Sequence, residues 1–399
     1  MARNLRVLLL NNYLPPRGGA EVHVTAVRDL LRAAGHEAEL HAPGDVSGWR
    51  DLRDRVHNPA VRRLVEERIR EFRPDVIHVH NFLRRLSTAP FLAASEAGVP
   101  SLLSVHDYHL FCPRTWAIRS DGSPCERPSL PLCALGNCRG GLEGIGGRAA
   151  YFANAFRGIG ARGDVRRHAT RIVCGSRTLA ARLEGVLGRE VGVLPFPSPP
   201  AAPESSPPPN ADLLFLNRVS PEKGPIELLE SLARVRAAVP ALRLTVAGDG
   251  PLLDAAKEMA RALGLGEAVR FEGWVDPSRI PELLRAHGAL VVPSVWMENF
   301  PLVVLDSLAA GRPVLGSTRG GIPEAVADGE AGLLFDPLDP AALDGALRRW
   351  AALPDGERAA MGRKARERAA AWGGPPEFLG RLLDEYHRTI QSAAKAPRS

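Results

Sequence analysis

Apolar runs at 6–10, 37–41, 76–80, 101–104, 171–174 and 191–194 each end in a polar or Gly-rich turn, and most lead into an amphipathic segment. The same rhythm returns at 212–217, 242–247, 269–272, 289–292, 313–316 and 332–335. Short runs without strict alternation suit strands buried on both faces, and the segments between them suit crossover helices. After the first run, Val24, Val27, Leu30 and Leu31 fall on one helical face, and Gly35 supplies a helix stop. The pattern predicts an α/β chain of two Rossmann-like, doubly wound domains with parallel sheets.

Residues 195–210 read PFPSPPAAPESSPPPN, with eight Pro, and cannot build a core. The predicted organisation is a first domain over 1–197, a Pro-rich linker over 198–210 and a second domain over 211–375. A C-terminal helix and tail over 376–399 is expected to pack back on the first domain. The end of the chain, from about 341, reads as helical and polar.

The 399 residues are 45% apolar and 24% charged, an ordinary globular balance. No apolar run approaches the ~20 residues that cross a bilayer, and the expected location is cytoplasmic. The net charge of +6 is uneven: residues 1–197 hold 28 Arg against 19 acids. That excess raises the expectation of peripheral association with the inner face of a membrane, or of an acidic acceptor; solvated helix faces are the alternative. Nucleic acid is not an expected partner, because no aromatics are interleaved with the basic residues.

In doubly wound domains ligands bind beyond the carboxyl ends of the strands, so chemistry is sought just after them. Residues 293–306 read PSVWMENFPLVVLD, between a predicted strand and a predicted helix. A helix N-terminus there offers free N–H groups to a phosphate, and Glu298 can accept hydrogen bonds from hydroxyls. Asp306 lies about two helical turns further on. Residues 217–225 read NRVSPEKGP, placing Arg218 and Lys223 on another such loop, where both can reach a diphosphate.

This combination resembles the retaining glycosyltransferase family 4, which has the GT-B fold. The resemblance rests on Arg218–Gly224 as R-x-x-P-E-K-G, on Glu298 and Asp306 as an acid-x7-acid pair, and on Gly320, Gly321 and Glu324 as G-G-x-x-E. Gly18, Gly19 and Glu21 after the first strand, and Gly248 to Pro251, also fit. The resemblance implies that two domains face a central cleft and move a hexose-type sugar from a nucleotide-sugar donor, with retention and without a metal. A UDP-sugar is favoured by frequency in that family. It implies that Arg218 and Lys223 hold the diphosphate and that Glu298 binds sugar hydroxyls. Backbone groups from Asn299 and Phe300 through Pro301, Leu302 and Val303 would contact sugar and phosphate. Asp306, one methylene shorter than the family's usual Glu, would bind the ribose. Gly18, Gly19 and Gly248 would let loops approach the donor, and His106 would steady charge at the reacting centre. Glu298 and His106 are the candidate catalytic residues. Substituting Lys223 or Glu298 by Ala is expected to abolish transfer and leave the fold intact.

No catalytic cofactor is implied. The acceptor is expected to be a glycan, a lipid-linked molecule or a small molecule. Cys112, Cys125, Cys133 and Cys138 cluster irregularly after His106. The readings are a structural zinc site, or free thiols with one or two disulfides formed only on oxidation. Competing functions on this fold are a sugar-nucleotide epimerase and a nucleotide-sugar-binding protein without turnover.

Overall fold

The computed structural model describes residues 4–14, 19–44, 57–83, 85–126, 128, 133, 138, 147–200 and 210–395, without the side chains of Ala20 and 147–156. The chain divides into two compact units. Unit 1 combines Met1–Pro195 with Pro375–Ser399, and unit 2 is Phe196–Gly374.

Unit 1 runs β1 (Arg6–Leu10), α1 (Gly19–Ala33), β2 (Glu37–His41), α2 (Pro59–Phe72), β3 (Val76–Val79), α3 (Ala89–Glu96), β4 (Ser101–Val105), α4 (Gly147–His168), β5 (Arg171–Cys174), α5 (Arg177–Leu187) and β6 (Gly192–Val193). Its sheet is parallel, in the order β2-β1-β3-β4-β5-β6. The strand order reverses beside β1, which opens a crevice beyond the ends of β1 and β3.

Unit 2 runs β7 (Leu213–Leu216), α6 (Pro225–Arg236), β8 (Leu244–Ala247), α7 (Leu253–Ala262), β9 (Val269–Gly273), α8 (Ile280–Ala286), β10 (Ala289–Val292), α9 (Leu302–Ala309), β11 (Val314–Ser317), α10 (Ile322–Val326), β12 (Gly332–Phe335), α11 (Pro340–Ala352) and α12 (Asp355–Trp372). Its sheet order is β12-β11-β10-β7-β8-β9, so the reversal falls between β7 and β10. All ladders are parallel here too. Each run of apolar residues named above contains a strand, because a strand covered on both faces must be apolar throughout.

The final helix, α13 (Pro375–Lys395), returns to unit 1. It is not simply polar. Phe378, Leu382 and Tyr386 recur at i, i+4 and i+8, all at most 1% exposed, and join Val7, Leu9, Val24 and Val76 in one core.

Several arginines of the first half are engaged in holding the fold. Arg162 donates to the carbonyls of Leu110 and Phe111 at 2.6 and 2.7 Å, and Arg189 to those of Ala169 and Thr170 at 2.7 Å each. Arg182 donates to the Cys125 carbonyl, and Arg114 to the Cys138 carbonyl at 2.6 Å. Arg68 pairs with Glu71 and Arg171 with Glu385. Guanidiniums bound this way do not form a free cationic face, and the expected peripheral membrane association gains no support from them. Among the described residues no helix is long and apolar enough to cross a membrane.

Candidate functional site

Unit 2 brings its motif loops together at the reversal between β7 and β10. Lys223 Nζ lies 2.6 Å from Glu298 Oε1, with the two side chains only 14% and 6% exposed. Ser294 Oγ donates to the same oxygen at 2.7 Å, and Lys223 Nζ sits 4.8 Å from the centroid of the Trp296 ring. The two residues expected to grip different parts of a ligand are each other's partner. No local pattern singles out Ser294 or Trp296, although Ser294 stands four residues before Glu298 in the same motif.

The loops are joined through the backbone as well. Val295 N–H donates to the Glu222 carbonyl at 3.0 Å, and Gly321 N–H to the Glu298 carbonyl at 2.9 Å. A Cβ on Gly224 would meet the Pro293 carbonyl oxygen at 2.2 Å, and one on Gly320 would meet the Glu298 carbonyl oxygen at 1.8 Å. Both glycines have positive φ, 69° and 62°. Only glycine combines that conformation with that approach. Gly248 likewise backs onto the Asn217 carbonyl. The observed need for these glycines is contact between loops, whereas Gly248 is expected from the sequence to let a loop approach the donor.

Arg218 is exposed at the end of β7, free to turn toward an anion. Asn299, Phe300 and Pro301 are buried, and Phe300 packs against Phe196 and Trp372. Pro301 caps α9, whose first-turn N–H groups at Leu302 and Val303 have no acceptor within the helix. Asp306 stands on the second turn of α9, and its carboxylate makes no hydrogen bond or ion pair among the described residues. Burial pushes its carboxyl up to about 6. The folded state therefore holds a proton that the unfolded chain releases near 3.8, and ionising Asp306 costs up to about 3 kcal/mol. Asp306→Asn should stabilise the ligand-free protein at pH 7.5 and leave it unchanged at pH 4. Urea denaturation at the two pH values checks this, and equal effects at both would contradict it.

Unit 1 carries a second polar site. A cavity of about 310 Å³ opens beyond β1, β3 and β4, lined by Asn12, Glu21, His80, His106, Asp107 and His109 among others. Behind it lies an array of buried imidazoles. His80 Nδ1 is 2.8 Å from His106 Nε2. His78 contacts Tyr386 Oη at 2.8 Å and Ser104 Oγ at 2.7 Å. His23 packs edge-on against His80 and His106. Burial drives all four rings toward the neutral form, His78 to about 3 and His106 to about 4. His106, expected to donate to developing charge, instead uses Nε2 toward His80, and its Nδ1 is shielded from solvent. Asp107 receives the His109 N–H at 2.8 Å and pairs with its Nδ1 at 2.5 Å. Gly19 opens α1 and is exposed, whereas Gly18 lies outside the described residues.

Cys112, Cys125, Cys133, Cys138 and Cys174 are free thiols. Burial pushes Cys112 up to about 11. Among the described residues no group of three or more His, Cys, Asp or Glu is placed to hold a metal. The zinc reading at the first four cysteines thus finds no donor set there. Cys174 is simply a small buried residue ending β5.

Residues 202–368 match the model for glycosyl transferases group 1, and residues 18–135 that for a glycosyl transferase 4-like domain. The chain belongs to the group 1, family 4-type glycosyltransferases, and its two six-stranded parallel sheets are those of the GT-B fold. It is similar to the glycogen synthase of Mycobacterium tuberculosis, 38% identical over 138 residues, covering 35% of this chain and 33% of that protein. The D-inositol 3-phosphate glycosyltransferase of Streptomyces avermitilis is 37% identical over 195 residues, 47% of this chain and 41% of the relative. The chain thus spans about a third to two fifths of the curated relatives it matches. Anabaena HepE, solved in complex with UDP and glucose, shares the fold with a TM-score of 0.69 and 18% identity over 96% of this chain and 99% of HepE.

Proposed function

We propose that the protein is a retaining glycosyltransferase that moves a hexose-type sugar from a UDP-sugar to an acceptor hydroxyl without a catalytic metal. The observation that carries this reading is the buried Lys223–Glu298 pair at the strand-order reversal of unit 2. Arg218, Lys223 and the N-terminus of α9 supply the positive charge that a diphosphate needs. Glu298 Oε1 is taken by Lys223 and Ser294, which leaves Oε2 for a sugar hydroxyl. Asp306, whose carboxylate has no partner among the described residues, is suited to ribose hydroxyls. HepE, of the same fold, was solved with UDP and glucose, which favours UDP among the bases.

In this reading the acceptor oxygen forms a bond to the anomeric carbon on the face the nucleotide leaves. The bond from that carbon to the diphosphate breaks, and the acceptor's proton passes to a departing phosphate oxygen. Such a step needs a stabilised leaving group rather than a dedicated protein base. We assign the acceptor, a glycan, lipid-linked or small molecule, to the cavity of unit 1.

The test is a melting-temperature screen against UDP, GDP, ADP and dTDP and their common sugars, without added metal. A ligand at 100 times its Kd adds about 2.7 kcal/mol to the folded state. UDP and a UDP-sugar should raise the melting temperature, and Arg218→Ala should reduce the shift. A chain that responds to none of the nucleotides would sink the donor assignment.

A further inference from the structure

The cavity of unit 1 carries its own charge signature. No Lys or Arg stands among its described lining residues. Arg85 is stacked 4.7 Å from the centroid of the Tyr13 ring and does not line it. The lining side chains that bear charge or hydrogen-bond capacity are two carboxylates, three imidazoles, an asparagine pair, a serine and a tyrosine. Asp107 is already matched by His109. Glu21 is not matched: it is 7% exposed, and its carboxylate has no hydrogen bond or ion pair among the described residues. Its place in the first turn of α1 suits the helix dipole. That position alone does not account for a buried acid turned to a cavity, since a solvated first-turn acid would serve the dipole as well.

We infer that the cavity takes a neutral, hydroxyl-rich ligand, a monosaccharide unit or a polyol, and that Glu21 is the residue that keeps phosphate esters out. Hydroxyl groups donate to an unpartnered carboxylate in charge-assisted hydrogen bonds. A phosphate monoester brings like charge to the same carboxylate in a confined space, with no cation among the described lining residues to offset it. About 310 Å³ lies at the small end of ligand cavities, the scale of one sugar ring. The inference deepens the acceptor assignment above and rests on it only for the ligand's role in transfer.

The test is a titration of the full chain carrying ¹⁵N-histidine, read through the ring signals of His80, His106 and His109, which line this cavity. The probes are myo-inositol and glucose, their monophosphates, and glucosamine. The neutral probes should shift these signals at concentrations at least about tenfold lower than their phosphate esters. Glu21→Gln should narrow the gap, and Glu21→Lys should reverse it. The Gln variant keeps the side-chain shape should the Lys variant fail to fold. Phosphate esters that saturate as early as the neutral probes, glucosamine binding more than tenfold tighter than glucose, or ring signals unmoved by every probe would each overturn the inference. UDP binding measured on the same samples separates the two readings: its absence sinks the donor assignment and leaves this result standing.

Discussion

Lys223→Ala and Glu298→Ala are each expected to lower stability by about 3 kcal/mol and to abolish donor binding. The loss of stability follows from the 2.6 Å pair being almost wholly buried. Removing one partner strands the other charge away from water, which costs about 3–5 kcal/mol, while removing both is often nearly neutral. The sequence alone suggested that either substitution would spare the fold, because it gave no sign that the two side chains meet. The combined variant, Lys223→Met with Glu298→Gln, should recover most of the stability and still fail to bind nucleotide. Gln can still accept the Ser294 hydroxyl, and Met fills the volume beside Trp296. Urea denaturation gives the stabilities and the nucleotide melting shift gives the binding. Single variants as stable as the parent would show that the pair contributes nothing to the fold. A double variant that still binds UDP would remove both residues from the donor site.

Acidification from pH 7 to pH 5 should selectively loosen unit 1. His78 and His106 titrate near 3 and 4 in the folded chain, against 6.5 when unfolded. Their folded pKa values are depressed, so the unfolded chain takes up protons that the folded chain refuses. The stability they contribute is complete above about pH 6.5 and is lost as the pH falls. At pH 5 each ring accounts for up to about 2 kcal/mol, and His23 and His80 move in the same direction. Asp306 works in the opposite sense in unit 2, where its raised pKa removes a penalty as the pH falls through 6. Hydrogen exchange resolved by peptide, corrected for intrinsic rates, should show β3 and β4 losing protection at pH 5 while β10 and β11 keep theirs. Equal protection of β3 and β4 at both pH values would contradict this.

The strands were legible because a parallel strand covered on both faces has to be an apolar run, a local property of the chain. The loop positions of Arg218, Lys223 and Glu298 followed from strand order in the same way. What stayed hidden were contacts between distant segments. Gly224 and Gly320 are needed by carbonyls 69 and 22 residues away, at Pro293 and Glu298, which no local pattern reveals. The arginine excess was counted as free charge, yet Arg162 and Arg189 face inward to carbonyls. The His78–Tyr386 hydrogen bond spans 308 residues. Its one local trace was the stripe of Phe378, Leu382 and Tyr386 in a stretch that reads as mostly polar.

That stripe has a bearing on the order in which the chain matures. Unit 1 starts at the N-terminus, but its core is closed by Phe378, Leu382 and Tyr386 from α13. During synthesis all of unit 2 leaves the ribosome before those three side chains exist outside the exit tunnel. Domains tend to fold as units in order of emergence, but here the first to begin is the last to finish. Until α13 arrives, unit 1 presents an apolar sheet face and an unanchored histidine array to solvent. It is therefore the half of the nascent protein that holding chaperones would be expected to cover longest.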